Sequence, residues 1–148
     1  MNLNQIQQKM KNAFKNSPVH FLGVFSKNNM PDAIRISGFS PCCYIVNTDL
    51  STGRGKHWVA FFHLSSRSIE FFDSFGRTPA TLGFHLPYVQ RIVHNWVQVQ
   101  GNDTHVCGQH CIYFLVQRSH GHSLNSIVAH LKSKKDPDYH VTEFTRKI

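Results

Sequence analysis

Long apolar runs are missing from this sequence. No stretch of about 18 apolar residues occurs, which is the length that a membrane-spanning helix requires, so we expect no membrane segment. The opening MNLNQIQQKMKNAF also lacks the apolar core of a secretory signal. Acidic residues are scarce, with 8 Asp plus Glu against 16 Lys plus Arg, which gives a net charge of +8. This positive surplus favours acidic partners such as nucleic acid.

Cysteines are also few. The chain has four, too few for a disulfide scaffold, and Cys42 and Cys43 are adjacent, which does not suit a bond between them. We therefore expect four free thiols in a reducing compartment. This predicts a protein of the nucleus or cytoplasm and not a secreted one.

What remains is the composition of a globular protein. Hydrophobic residues make up 41% of the chain and charged residues 16%, which excludes a disordered tail. Phe occurs 12 times and predicts a large aromatic core. A length of 148 residues without repeats or linkers predicts one domain, 1–148, large enough to fold without disulfides or metal.

Helical periodicity marks both ends of the chain. Apolar side chains recur at helical spacing in residues 2–15, whereas the Pro, Gly and Asn of residues 16–41 predict mostly loop. Residues 107–118 are apolar almost all round and predict a buried helix. A further helix is predicted over 123–132, with Ser at its N-cap, and a short one follows the Asp-Pro break and ends near Ile148.

Strand patterns fill the middle of the chain. We predict strands over 42–49, 57–64, 68–73 and 92–99, with a Gly-rich loop at 51–56. The run over 57–64 is apolar on both faces, and its short separation from the next strand indicates a hairpin. Helices, then strands, then helices is the order of an α+β fold.

Three polar residues occur where elements begin or end. A thiol hydrolase needs a nucleophilic Cys, a His to exchange its proton, and a group that orients the His. Cys107 opens the predicted buried helix, where the helix dipole lowers a thiol pKa. His57 opens a strand and Asp73 ends the next one. Each has an ordinary structural explanation alone, as a core thiol, an incidental His or a turn former, so only their joint arrangement points to catalysis.

Three sequence blocks carry a family resemblance. The blocks read GKHWVAFF (55–62), FFDSFG (71–76) and VQGNDTHVCGQHCIYFL (99–115). They resemble the three blocks of adenain, the adenovirus cysteine protease family. The blocks occur in the family's order, and the seven-residue step from Gln to Cys in the third block is the most specific feature. The resemblance extends over about residues 18–120.

The resemblance implies a role for each matched residue. Cys107 resembles the nucleophile and His57 the general base and acid, while Asp73 stands where adenain has Glu. Gln100 resembles the side-chain donor to the oxyanion, with the backbone N–H of Cys107 as the second donor. Trp58 resembles the aromatic residue beside the catalytic His.

Trp58 and Gly55 are also our candidates for substrate binding. They belong to a narrow path to Cys107 along the loop 51–56, and such a path favours small residues such as Gly next to the cleaved bond. No metal ligands are implied by the resemblance.

The implied fold is α+β of the papain-like clan, with a central mixed β-sheet packed on a buried helix that starts at the nucleophile. The implied activity is that of a cysteine endopeptidase that cleaves precursor proteins during capsid maturation of a virus or a Maverick/Polinton-type element. We expect a monomer in the host nucleus or cytoplasm and in the virion. No cofactor is required, but stimulation by DNA through the basic surface or by a viral peptide is implied by the family. Residues 74–99 hold no Cys, so a disulfide-linked peptide activator is not expected.

Three alternatives stay open. The Asp73-Ser74 pair resembles Ulp-type proteases of ubiquitin-like proteins, although Val106 stands where that group often has Asp. A zinc site would use the soft ligands His105, Cys107, His110 and Cys111, but paired zinc-knuckle spacing is absent. The third alternative is a basic nucleic-acid-binding module without enzymatic activity. Within the protease interpretation, Glu70 is the alternative acidic residue, but it points to the opposite strand face.

Overall fold

The computed structural model describes residues 1–48, 57–86 and 91–148. Helices and strands within these ranges follow in the order α1 (Leu3–Phe14), β1 (His20–Ser26), α2 (Ala33–Phe39), β2 (Cys42–Asn47), β3 (Trp58–Ser65), β4 (Ser68–Phe72), β5 (Arg91–His94), α3 (Cys107–Ser119), α4 (Leu124–Ser133) and α5 (Pro137–Lys147). None of the helices in these ranges is long and apolar enough to cross a membrane.

The strands form one mixed sheet in the order β1-β2-β3-β4-β5. The outer pairs β1–β2 and β4–β5 are parallel, whereas β2, β3 and β4 run antiparallel to one another. Ser65 pairs with Ser68, so β3 and β4 are joined by the predicted hairpin. The predicted central mixed sheet is confirmed.

Side chains alternate between two apolar cores, one on each face of the sheet. The helical face lies under α1, α3, α4 and α5 and takes the strand residues Cys43, Ile45, Trp58, Ala60, Phe62 and Phe72. The opposite face, covered by α2 and the loop at Phe84, takes Cys42, Tyr44, Val46, Val59, Phe61, Ile69 and Phe71. Residues 58–63 are buried on both faces and all but His63 are apolar, which is why this part of the chain lacks an alternating pattern.

Helix α3 is the buried helix that the sequence predicts. Its Phe114 ring stacks on Phe72 of the sheet, with ring centroids 4.7 Å apart. Near its start, a Cβ on Gly108 would lie 3.2 Å from Ile6 Cδ1 and 3.4 Å from Trp58 Cδ1. The missing side chain lets α1 and β3 approach the residue after Cys107 closely. This packing fixes the beginning of α3 against the sheet.

The prediction that residues 16–41 are mostly loop is wrong. They contain β1 and α2, separated by a 3-10 turn at Lys27–Asn29. Gly23 has φ 135° where the β1–β2 register shifts, so this glycine serves a strand bulge. Asp32 caps α2 by accepting a hydrogen bond from the Arg35 backbone N–H. Of the residues that suggested a loop, Gly23 lies at the strand bulge, Asn28 and Asn29 lie in the 3-10 turn, and Gly38 lies inside α2.

The strand predicted over 92–99 is too long. β5 ends at His94, and the next residue, Asn95, turns its side chain to the backbone of Asp73. The backbone N–H groups of Val99 and Gln100 donate to the carbonyl oxygen of Ser74, 2.8 and 3.0 Å away. These contacts with the loop after β4 replace a strand ladder. The alternating pattern of the segment did not reveal them.

We predict that His63 makes folding stability depend on pH. Its side chain is fully buried, with Nε2 2.9 Å from the Tyr44 hydroxyl, and burial lowers its pKa to about 4. The unfolded chain has the ordinary value of 6.5 and binds the proton first as the pH falls. Stability is therefore fully present above pH 6.5 and falls toward pH 4, by up to about 3 kcal/mol from this group.

Urea unfolding of wild type and His63→Gln at pH 7, 5.5 and 4 checks this. The glutamine keeps an acceptor for Tyr44 but does not titrate, so its unfolding free energy should fall less steeply. His85→Gln, at an exposed histidine, is the matched control and should follow wild type. Equal pH slopes for wild type and His63→Gln would show that His63 does not act in this way.

Candidate active site

The sheet topology brings three distant residues to one edge of the molecule. His57 directly precedes β3 and Asp73 directly follows β4. Because these strands pair antiparallel, the start of one lies beside the end of the other. Helix α3 packs on β3 and begins at Cys107. The ends of three elements therefore meet at this edge.

His57 contacts both other members of the predicted triad. Its Nε2 lies 2.6 Å from Asp73 Oδ1, and the ring hydrogen-bonds the side chain of Cys107. Since Nε2 is engaged by the carboxylate, Nδ1 is the nitrogen that exchanges a proton with sulfur. The Phe75 ring packs beside the imidazole with centroids 5.5 Å apart. The His57 side chain is 15% exposed, so solvent reaches only a small part of it.

The carboxylate of Asp73 is fully buried and surrounded by donors. Oδ1 accepts from His57 and from the Phe75 backbone N–H, while Oδ2 accepts from the backbone N–H and Nε of Arg77, at 3.0 and 2.8 Å. A buried carboxylate is tolerated only with such partners. Asp73 is therefore a structured anion and not merely a turn former.

Asn95 fixes the backbone that carries this carboxylate, and sequence reasoning missed it. Its Oδ1 accepts from the Asp73 N–H at 3.0 Å, and its Nδ2 donates to the Asp73 carbonyl at 2.6 Å. The asparagine thus replaces a neighbouring strand at the point where β4 ends. Its polarity inside an alternating segment was the only signal in the sequence.

Gln100 is buried, and both ends of its amide are bound. The Ser74 hydroxyl donates to Oε1 at 2.6 Å, and Nε2 donates to the Thr104 carbonyl at 2.9 Å. A carbonyl oxygen can only accept, so the amide nitrogen must face Thr104. Gln100 is linked to the triad residues through Ser74, the neighbour of Asp73. The amide has a second N–H that Thr104 does not use.

The two predicted substrate-binding residues stay predictions. Trp58 is 6% exposed, and its indole Nε1 donates to the Met1 carbonyl at 3.3 Å, within the core beside α1. The backbone N–H of Trp58 donates to Cys107 Sγ at 3.5 Å, so the main chain of Trp58 contacts the nucleophile candidate. Gly55 and the rest of loop 51–56 lie outside the described residues.

The soft ligands considered for zinc do not form a metal site in the described ranges. No group of three or more His, Cys, Asp or Glu side chains there is arranged to hold a metal ion. His110 instead places Nε2 2.8 Å from Asp138 Oδ1, and His105 is exposed. Cys111, another of the four ligands considered, is a fully buried core thiol.

Electrostatics at the site favour a thiolate–imidazolium pair. Burial acts to lower the pKa of His57, but hydrogen bonds and charges from Asp73 and Cys107 outweigh it and raise the pKa to about 9. Burial acts to raise the pKa of Cys107, but the hydrogen bonds from His57 and from the Trp58 and Gly108 N–H groups lower it. Donation from His57 and Arg77 likewise overcomes burial and lowers the pKa of Asp73 to about 2.

The other three cysteines differ from Cys107. Burial raises the pKa of Cys42, Cys43 and Cys111. None of the four cysteines forms a disulfide. Only Cys107 therefore has the lowered pKa that makes a thiol nucleophilic near neutral pH.

The chain has relatives in both sequence and fold. No family model matches the chain. Its sequence is similar to the protease of porcine adenovirus A serotype 3, with 31% identity over an alignment of 113 residues that covers 64% of this chain and 54% of that protein. A shorter part is 54% identical over 39 residues, or 24% of this chain and 14% of the relative, to the SUMO-1 cysteine protease of African swine fever virus. The chain spans about half the length of the adenovirus protease and a smaller share of the other.

The fold is similar to the crystal structure of the African swine fever virus protease, with TM-score 0.65 and 21% identity over 98% of this chain and 66% of that one. The chain is therefore similar in sequence to an adenovirus protease and similar in fold to the African swine fever virus protease. The central domain of an uncharacterized Legionella pneumophila protein has a TM-score of 0.59 at 15% identity, over 99% of this chain and 94% of that one. The predicted α+β fold, with a central mixed sheet packed on a buried helix that starts at Cys107, is confirmed.

We predict that Cys107 is alkylated rapidly below pH 8. A free thiol, with a pKa of about 8.5, is mostly protonated there and reacts slowly. Mass spectrometry after iodoacetamide treatment from pH 5 to 10 should locate the fast reaction at Cys107, with an apparent pKa below the free-thiol value. His57→Ala should move that value upward because the imidazolium is lost. A wild-type profile that rises only near pH 8.5 would contradict the ion pair.

The same profile distinguishes the two acidic candidates. Near pH 9, His57 loses its proton and the alkylation rate of Cys107 changes a second time. Asp73→Asn removes the charge that helps to raise the His57 pKa, so this second change should occur at a lower pH. Glu70 accepts two hydrogen bonds from Arg118 instead, at 2.8 and 2.9 Å, which engage both of its carboxylate oxygens. Glu70→Gln is therefore the matched control and should leave the profile unchanged. The reverse result would assign the orienting role to Glu70.

Proposed function

We propose that this chain is a cysteine endopeptidase that uses Cys107, His57 and Asp73 as its triad and Gln100 as an oxyanion donor. The observation that carries the proposal is the position of His57, which hydrogen-bonds the Asp73 carboxylate on one side and the Cys107 sulfur on the other. A nucleophile, a base and an orienting group in this order are the requirements for acyl transfer.

The first step is attack of the Cys107 thiolate on a peptide carbonyl. The negative charge that develops on the carbonyl oxygen is held by the second N–H of Gln100 and by the backbone N–H of Cys107. Because the Gln100 amide is bound at both ends, it need not reorganise as the charge forms. This preorganisation is the physical basis of the oxyanion role.

The second step releases the products. The imidazolium of His57 donates its proton to the leaving amine, and a thioester on Cys107 remains. His57, now neutral, takes a proton from water, which attacks the thioester and frees the carboxylic acid. Asp73 stays ionised throughout, since its donors favour the charged form.

We propose precursor proteins of a virus or virus-like element as the substrates. The similarity to an adenovirus protease supports this class. Cys107 is only 6% exposed, so an extended segment with small side chains, such as one containing Gly, reaches the sulfur most easily. Capsid maturation is the process in which such precursors are cut.

A second candidate is a protease of ubiquitin-like proteins. Two observations favour it: the Asp73-Ser74 pair, which resembles Ulp-type proteases, and the African swine fever virus relative, which is named a SUMO-1 cysteine protease. The Gly-Gly tail of a ubiquitin-like protein also fits a narrow approach to the sulfur. The two candidates share the chemistry and differ only in substrate.

We predict cleavage of Gly-containing capsid-precursor peptides and none of ubiquitin-like fusions. Both substrates are incubated with the purified chain, and products are identified by mass spectrometry. Gln100→Ala should reduce kcat about a hundred- to thousandfold, because one oxyanion donor is lost. This loss of kcat should be accompanied by only a small shift in the melting temperature.

Cys107→Ala should abolish cleavage while leaving the melting temperature nearly unchanged. Cys111→Ala, one helical turn away in the core, is the matched control and should retain turnover. Cleavage by Cys107→Ala would disprove the proposed nucleophile, and exclusive cleavage of the fusions would assign the Ulp-like substrate class.

A further inference from the structure

We propose that Asp138, in the first turn of α5, is a positioning residue that holds Gln100 in place for oxyanion binding. The inference rests on the proposed protease function and extends it to α5, a helix that contains no triad residue. Nothing in the sequence pattern singles out this aspartate, since it follows an ordinary Asp-Pro helix start.

The Asp138 carboxylate joins three separate parts of the structure. Its Oδ2 accepts a hydrogen bond from the Gly101 backbone N–H at 3.0 Å and lies 3.0 Å from the Thr104 hydroxyl. Its Oδ1 lies 2.8 Å from Nε2 of His110 in α3. One side chain therefore ties α5 to the helix of the nucleophile and to both ends of the loop 101–104.

That loop is what holds the Gln100 amide. Gln100 directly precedes Gly101, and its Nε2 donates to the Thr104 carbonyl at 2.9 Å. The Thr104 hydroxyl also lies 3.1 Å from the Gly101 carbonyl, so the loop closes on itself next to the carboxylate. If Asp138 is removed, the loop loses the anchor at each end, and the amide loses the fixed carbonyl that orients it.

His110 supplies the third contact and is neutral. It is fully buried, and burial outweighs the hydrogen bond and the charge of Asp138, so its pKa is lowered. A neutral ring that contacts a carboxylate through Nε2 carries its proton there and donates it. The contact therefore fixes the tautomer of His110 and aims Asp138 at the loop. It also explains a buried histidine that the mechanism does not use.

The fit between Asp138 and the loop is close. A Cβ at Gly101 would lie 2.9 Å from Asp138 Oδ2, closer than real Cβ contacts occur. A side chain at residue 101 would force either the loop or the Asp138 carboxylate to shift. This gives a second way to disturb the contact without changing Asp138 itself.

Asp138 is not needed to start its own helix. Asp136 has that role, since its Oδ1 accepts from the Tyr139 backbone N–H at 3.1 Å. Asp136 is exposed, and its carboxylate binds within the first turn of α5. Asp136→Ala therefore weakens the start of α5 but leaves the hydrogen bonds of the loop 101–104 in place, which makes it the matched control.

The experiment is a double-mutant cycle on peptide cleavage. Asp138→Ala should lower kcat about ten- to a hundredfold with KM nearly unchanged, because a displaced donor affects the transition state more than substrate binding. In a Gln100→Ala background, the same change should cost less than about twofold, because the group through which it acts is already absent. Asp136→Ala should lower the melting temperature and leave kcat near wild type.

Two further variants keep the test independent of folding. Thr104→Val preserves shape and removes only the hydroxyl, and Gly101→Ala pushes the loop from the carboxylate. Both should lower kcat in the same non-additive way, by smaller factors than Asp138→Ala. Asp138→Asn keeps the shape and an acceptor and should restore part of the activity that Asp138→Ala loses.

The outcomes separate this inference from the proposed function. Equal losses from Asp138→Ala with and without Gln100, or unchanged kcat, would overturn the positioning role and leave the protease intact. A wild-type chain that neither cleaves any peptide nor is alkylated at Cys107 would overturn the proposed function and the positioning role with it.

Discussion

A buried carboxylate organises this structure. Asp73 is removed from water at the end of β4, and a carboxylate in that position is stable only if donors replace its hydration. His57 and Arg77 supply charged donors, and two backbone N–H groups supply the rest. Asn95 then holds the backbone of Asp73 from the side where no strand continues. The position of the imidazole, and with it the state of the thiol, follows from this arrangement.

The charges around the sulfur form a graded series. Arg77 and His57 hold Asp73 ionised, Asp73 holds His57 protonated, and His57 lowers the pKa of Cys107. Burial dominates at the other three thiols, even at Cys42 beside Arg35, and their pKa rises. One cysteine among four therefore becomes reactive because of its neighbours and not because of its exposure. The same low dielectric that penalises unpaired charges strengthens these pairs.

Much of the fold and site could be predicted from local sequence. The apolar run at 57–64, the hairpin and the buried helix from Cys107 follow from periodicity, since both faces of the sheet and most of α3 are buried. The mixed sheet and the roles of His57, Asp73, Cys107 and Gln100 came from a resemblance, not from periodicity. The parts that failed were those where tertiary contacts override pattern. β1 was hidden by its bulge glycine, and β5 stops early because Asn95 binds Asp73.

By itself, the sequence determined which residues can do chemistry and which segments must be buried, because residue types and hydrophobic spacing are local properties. Only the tertiary structure decided which groups meet. The antiparallel pairing of β3 and β4 sets His57 beside Asp73, and α3 brings Cys107 to His57. The links from Ser74 and Asp138 to the Gln100 loop cross long stretches of chain. Hydrogen bonds between residues distant in sequence leave no periodic trace, and for that reason no pattern could reveal them.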